Sequence, residues 1–212
     1  MRNMMTKSTL REIRGSLTRW LAILAIVMLG VGFFCGLKVC KDAFTLTGDT
    51  FLDEHNLFDY ELISTLGLDD ESVDTINAVD GVRYAEGSWS ADILFEEEET
   101  ENGENVAKLH TVSQKISTLS LVEGRMPESA DECVVDSLHF SSEDIGKTIY
   151  LTDGNEEDTL DMLAGREYTI TGLATSPLYL NFERGSTSLG DGKVAAFIYI
   201  TPEAWDCDYF TE

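Results

Sequence analysis

The chain has 212 residues and a formal charge of −24 at pH 7. The charge is uneven: residues 1–41 hold seven of the fifteen Lys and Arg and one of the thirty-nine acids, which leaves residues 42–212 at a formal −30. A body that acidic repels DNA, RNA and anionic headgroups, so nucleic-acid binding is set aside and solubility is the plain use of the charge.

The N-terminus reads as a short basic amphipathic helix. Thr9-Leu10-Arg11-Glu12 fits a capping box, and Leu10, Ile13, Leu17 and Leu21 recur at helical spacing while Arg11, Arg14 and Arg19 fall on other faces. Such a helix lies on a membrane surface; a plain basic flank that orients the next segment is an equal reading. Trp20 to Leu37 then carries no charge over eighteen residues. As a helix that run rises about 27 Å, close to the hydrocarbon thickness of a bilayer.

Three other readings of this run fit less well. A cleaved signal peptide has an apolar core of about 7–15 residues and a small-x-small site; this run is longer and ends Cys35-Gly36-Leu37-Lys38. A lipoprotein anchor wants a small residue where Phe34 stands. A half-buried core helix wants a polar face, which the run lacks. Basic residues ahead of the span place the N-terminus in the cytoplasm and the rest outside the plasma membrane. The expected division is a cytoplasmic segment over 1–16, a transmembrane helix over 17–40 and an extracytoplasmic domain over 41–212. Within the span, Gly32 and Gly36 form a GxxxG that suits close packing of another helix.

Beyond it, Phe58–Ser64 alternates like a strand, and Asp69 caps a helix with Val73, Ile76 and Val79 on one stripe and Gly81 at its end. Val82 onward reads as strand to about Phe95. Glu96–Glu99 with Asn102-Gly103 reads as a hairpin tip before a strand over Val106–Val112; its acidic spacing fits no calcium loop. Further strands are expected at 133–135, 148–151, 168–171 and 194–200, with a turn at Asp153-Gly154. Ser176 to Gly192 is a long Gly- and Ser-rich loop that calls for a functional or packing reason. Few helices among many strands make an α+β domain. A disulfide between Cys133 and Cys207 is chemically open outside the cell, while Cys35 and Cys40 sit in or beside the span. No zinc spacing, P-loop or nucleophile elbow occurs, so neither a catalytic nor a metal set is nominated.

The order of basic helix, first span and outer domain resembles the N-terminal part of an FtsX-like ABC-transporter permease with a MacB-like periplasmic core domain. Leu121-Val122-Glu123-Gly124-Arg125-Met126-Pro127, followed by Glu132-Cys133-Val134-Val135, is the most specific stretch. Gly146-Lys147-Thr148-Ile149 and Tyr168-Thr169-Ile170-Thr171-Gly172 complete it, and Ser176–Tyr179, Arg184–Ser186, Gly190–Gly192 and Phe197–Ile200 are similar to the larger permeases of this type. Read physically, Glu123, Gly124, Arg125 and Pro127 form a structural corner: glycine turns, proline stops pairing, and a Glu–Arg pair holds it.

The resemblance implies a permease subunit in the plasma membrane that works as a dimer or pseudo-dimer. ATP is bound by a separate cytoplasmic ABC ATPase, and this chain needs no cofactor. Arg11 and Arg14 would lie near that ATPase, whose work would move the outer domain for export or mechanotransmission. Such permeases have at least three further spans and this sequence reaches Glu212 without a second apolar run, so a fragment of a longer permease or a truncated relative is expected. The alternative is a single-span, membrane-anchored binding module that holds a basic ligand on its acidic face or the 176–192 loop. A secreted enzyme fits least.

Overall fold

The computed structural model describes residues 4–64, 66–97 and 104–212, in two compact units, Met1–Thr50 and Phe51–Glu212. In the first, α1 spans Met4–Gly15 and α2 spans Leu17–Glu54, with the chain turning at Ser16. Because α1 starts at Met4, Thr9 lies inside it and the expected capping box is not a helix start. α2 is 38 residues long with no buried residue. The expected end of the span at residue 40 is not an end of the helix: no proline interrupts 38–54, and the Thr45 and Thr50 hydroxyls donate to the carbonyls of Lys41 and Leu46 without breaking it.

The last turn of α2, from Phe51, belongs to the second unit. There His55 O and Asn56 O accept from the backbone N–H groups of Thr118 and Ser117, both at 2.9 Å. Asn56 and Ser117 hold φ of 49° and 50°, so two left-handed residues face each other where the helix end meets the chain before the third strand. The Thr118 hydroxyl donates to His55 O at 3.3 Å.

The segment expected as a strand at Phe58–Ser64 bends at Asp59 and has no strand neighbour among the described residues, and Tyr60, Leu62 and Ile63 are exposed. α3, Asp70–Asn77, starts as expected: Asp69 accepts from Ser72 N at 2.8 Å. Gly81 takes a φ of 95° in the turn that follows. Residues 82–89 do not pair as a strand. The Asn77 amide holds Ala85 by both backbone groups instead, at 2.6 and 3.1 Å, and so folds that stretch back over the helix end.

Seven strands follow: β1 Ser90–Glu97, β2 Asn105–Thr111, β3 Ser120–Gly124, β4 Glu132–Asp136, β5 Thr148–Leu151, β6 Glu167–Thr175 and β7 Ala196–Ile200, with a short α4 at Glu157–Asp161 after the Asp153-Gly154 turn. Most of the expected hairpin tip, 98–103, lies outside the described residues; its flanks β1 and β2 pair antiparallel. The order β6-β4-β7-β2-β1-β5 returns to β6, so six strands close a barrel. β4–β6 and β2–β7 are parallel and the other pairs antiparallel. Alternation along each strand sends Ile93, Phe95, Leu109, Val135, Ile149, Tyr168 and Ile198 into the barrel and Val134, Phe197 and Tyr199 outward. Cys133 is wholly buried in that interior and Cys207 only partly, and both are free thiols; the expected pairing is not formed.

β6 has three neighbours. Its first half pairs with β5, its second half with β3 on the same side, and β4 runs along the other. β3 reaches β6 through facing glycines, Gly124 against Gly172. A Cβ on Gly172 would lie 2.7 Å from Arg125 O and 2.8 Å from Glu123 O; one on Gly124, at φ 82°, would lie 2.3 Å from Thr171 O. Between them Thr171 bulges out of register with β4, and its hydroxyl lies 3.1 Å from Arg125 O and 3.0 Å from Cys133 O. The stretches 121–127 and 168–172, read apart in the sequence, are thus one packed unit.

Gly124→Ala is therefore expected to cost roughly 2–5 kcal/mol, from left-handed strain plus overpacking. Gly146→Ala, at φ 94° but with nothing within 4 Å of its Cβ, is expected to cost only roughly 1–2 kcal/mol. Urea unfolding of the full chain in detergent compares them; equal costs would mean that the close approach does not matter.

Candidate functional site

The sequence-predicted residues fall in three places. Gly32 and Gly36 lie on α2, where a Cβ at either would meet nothing within 4 Å. Arg11 and Arg14 are exposed on α1. Among the described residues α2 is the one helix long and apolar enough to cross a membrane, and with the β-rich domain after it the chain has the make-up of a membrane-anchored module.

The corner at 123–127 is built as expected except for its ion pair. Arg125 pairs with Glu132 instead of Glu123, through both terminal guanidinium nitrogens, and Glu128 N donates to the same carboxylate at 2.9 Å. The Arg125 hydrogen bond, with that from Glu128 N, holds the Glu132 carboxyl down at about 2. Glu123 accepts from the Ser142 hydroxyl at 2.6 Å. The nearer acid in sequence is not the partner, because β3 and β4 flank β6 and bring Glu132 back to the corner.

The constellation not foreseen lies on the outer face of β4, β7 and β2, under the 176–192 loop. Asp136 ends β4 and is 1% exposed; Arg184, from the loop, is 7% exposed. The guanidinium donates to both carboxylate oxygens, Nε to Oδ2 at 2.5 Å and Nη2 to Oδ1 at 2.9 Å. Nη1 donates to the carbonyls of Tyr179 (3.3 Å) and Asn181. The Arg184 carbon lies 5.4 Å above the Phe197 ring and 5.8 Å from Tyr179. A buried ion pair is tolerable only when such further hydrogen bonds satisfy both ions.

Aromatic stacking closes the loop's other shoulder. Tyr179 stacks on Phe197 at 4.9 Å between centroids, and His110 stacks on Tyr199 at 5.0 Å. The Tyr179 hydroxyl meets His110 Nε2 at 2.6 Å, and the Ser176 and Tyr199 hydroxyls meet at 2.9 Å. Burial, with the nearby Lys108 charge, pushes His110 down to about 3, and burial pushes both tyrosine hydroxyls up. All three are held neutral. Each hydrogen bond ties the loop to the sheet, so the arrangement is a clasp. The packing reason that the sequence demanded of this loop is met here. The signal that could have found it was Arg184, one of only eight bases after residue 41, set in an otherwise Gly- and Ser-rich stretch.

No family model matches the chain, and no curated protein matches it. Among solved structures, it is similar to the extracellular domain of the noncanonic ABC-type transporter YknZ from Gram-positive bacteria. The TM-score is 0.39 and the identity 13%, over 69% of this chain and 70% of that one.

Removing one member of the clasp, by Asp136→Leu or Arg184→Met, is expected to cost roughly 3–5 kcal/mol, because the other ion is left buried. The double change Asp136→Leu/Arg184→Met should recover most of that. Urea unfolding of the full-chain variants tests it, and single costs that simply add in the double variant would contradict a coupled pair.

Proposed function

We propose that this chain is the N-terminal part of the permease subunit of an ABC transporter of the FtsX/MacB type. In this reading the N-terminus is cytoplasmic and the barrel extracytoplasmic. A partner ATPase binds and hydrolyses ATP beside α1, near Arg11 and Arg14, and the permease works as a dimer or pseudo-dimer. Its work moves the outer domain for export or mechanotransmission.

The observation that carries the reading is the continuity of α2. It runs unbroken from Leu17 through the apolar run to Glu54, and the turn after it is hydrogen-bonded at His55 and Asn56 to residues 117 and 118, directly before β3. A helix is stiff along its axis. In this reading α2 carries the partner's work outward, whereas a module that merely tethers a binding domain has no need of a helix that runs past its apolar stretch to Glu54. The sequence resemblance over 121–127 and 168–172 supports the same class.

The test is purification of the intact protein from its own membrane through a tag on this chain. A P-loop ATPase is expected to co-purify. Arg11→Glu/Arg14→Glu should lower its yield about tenfold, the equivalent of roughly 1.4 kcal/mol over two surface ion pairs, with orientation checked in the same samples. Absence of an ATPase, or a yield unchanged by the charge reversal, would count against the reading.

A further inference from the structure

The clasp has an effect beyond packing: it holds apolar side chains out in water. Phe182 is 88% exposed and Leu180 62% exposed, both on the stretch between Tyr179, stacked on Phe197, and Arg184, locked to Asp136. Leu138, two residues past Asp136, is 61% exposed, and its backbone N–H donates to Asp136 Oδ1 at 3.0 Å. All three thus lie within four residues of one end of the same buried ion pair. A loop free to move would fold such side chains against the sheet. This one is pinned at Tyr179 and at Arg184, on either side of Leu180 and Phe182.

Exposed apolar anchors on a rigid support, with charged residues around them, are the make-up of a protein-binding hot spot. The charge indicates the partner. Arg184 is neutralised by Asp136, so it presents no positive field. The exposed charged groups between β6 and β7 are Glu183, Asp191 and Lys193, a net −1, in a domain of formal −30. We infer that Leu138, Leu180 and Phe182 form a docking site for a partner protein whose contact surface is an apolar pocket rimmed by Lys or Arg. An anionic bilayer is disfavoured by the same charge, and so is a second copy of this equally acidic chain. The inference does not depend on the chain's being a transporter subunit.

The test places the photo-crosslinker benzoylphenylalanine at position 182 of the full chain, in the cell's own membrane. The same probe at Val122, 59% exposed on β3, is the control. Adducts are digested and the cross-linked peptide sequenced. The expected result is one non-self protein, captured at 182 and not at 122, through a peptide with apolar residues flanked by Lys or Arg. Glu183→Lys, a surface change that leaves the fold alone, should reduce that adduct at least fivefold, and raised salt should weaken it. The inference is overturned if position 182 yields no adduct, lipid, a second copy of this chain or the same products as position 122. It is also overturned by a cross-linked peptide without basic residues, or by an adduct indifferent to Glu183→Lys. Because ATPase co-purification is read separately, this site can fail while the transporter reading stands, or the reverse.

Discussion

Contact between two glycine backbones decides how this sheet is assembled. Gly124 and Gly172 face each other so closely that a methyl group on either would meet backbone oxygen. That approach lets β3 lie along the second half of β6 while β5 pairs with the first half and β4 fills the opposite side. The return of β5 to β6 closes the six-strand ring, with β3 outside it as a seventh strand on β6. Within the second unit, the chain before β3 is also held to the turn at His55 and Asn56. Residues 117 and 118, bonded to the turn after α2, lead directly into β3. The path from the helix end to the barrel wall is therefore short and made of backbone.

The two faces of the barrel wall do different work. The inner face is apolar and includes Tyr168, whose hydroxyl donates to Gly165 O at 3.0 Å and is pushed up to about 12 by burial. The outer face at β4, β7 and β2 is polar and aromatic, covered by a loop that the buried Asp136–Arg184 pair fixes in place. Burying two ions is an expensive way to fasten a loop, and an apolar contact of the same volume would hold it as well. What the ion pair adds is geometry. A bidentate guanidinium allows one arrangement of the 179–184 backbone, whose carbonyls at Tyr179 and Asn181 it also holds.

Much of the fold was legible because its signals are local. The apolar run of α2, the Asp69 cap and the alternation of β4 to β7 each need only a few neighbouring residues to be read. The expected strand at 58–64 and the first part, 82–89, of the strand expected from Val82 to about Phe95 did not form, for the converse reason: alternation states which side chains share a face but not whether a neighbour exists to pair with; the remainder of the second is in β1. The sequence of β3 reads locally as a corner and not a strand, because its hydrogen bonds are to β6, some fifty residues on, and a glycine by itself signals only a turn. The Arg125 partner was misplaced for the same reason. Glu123 is two residues away in sequence, yet Glu132 is the one the sheet brings back. The clasp itself was legible only as an unexplained loop, since nothing local pairs Arg184 with an aspartate forty-eight residues earlier.

If the chain is a permease subunit as proposed, the outer domain moves as one body when the partner ATPase turns over. Pulsed electron-spin distances test this directly, in the protein purified from its own membrane with the ATPase that the proposal expects. Cys35, Cys40 and Cys207 are first replaced; Cys133 is buried, with its thiol pushed up by burial, and stays unlabelled. Labels at 122 and 138 report within the domain, and labels at 47 and 138 report from α2 to the domain. On ATP turnover, the 47–138 distribution should shift while the 122–138 distribution holds. A moving 122–138 distance, or two distances that ignore ATP, would contradict it.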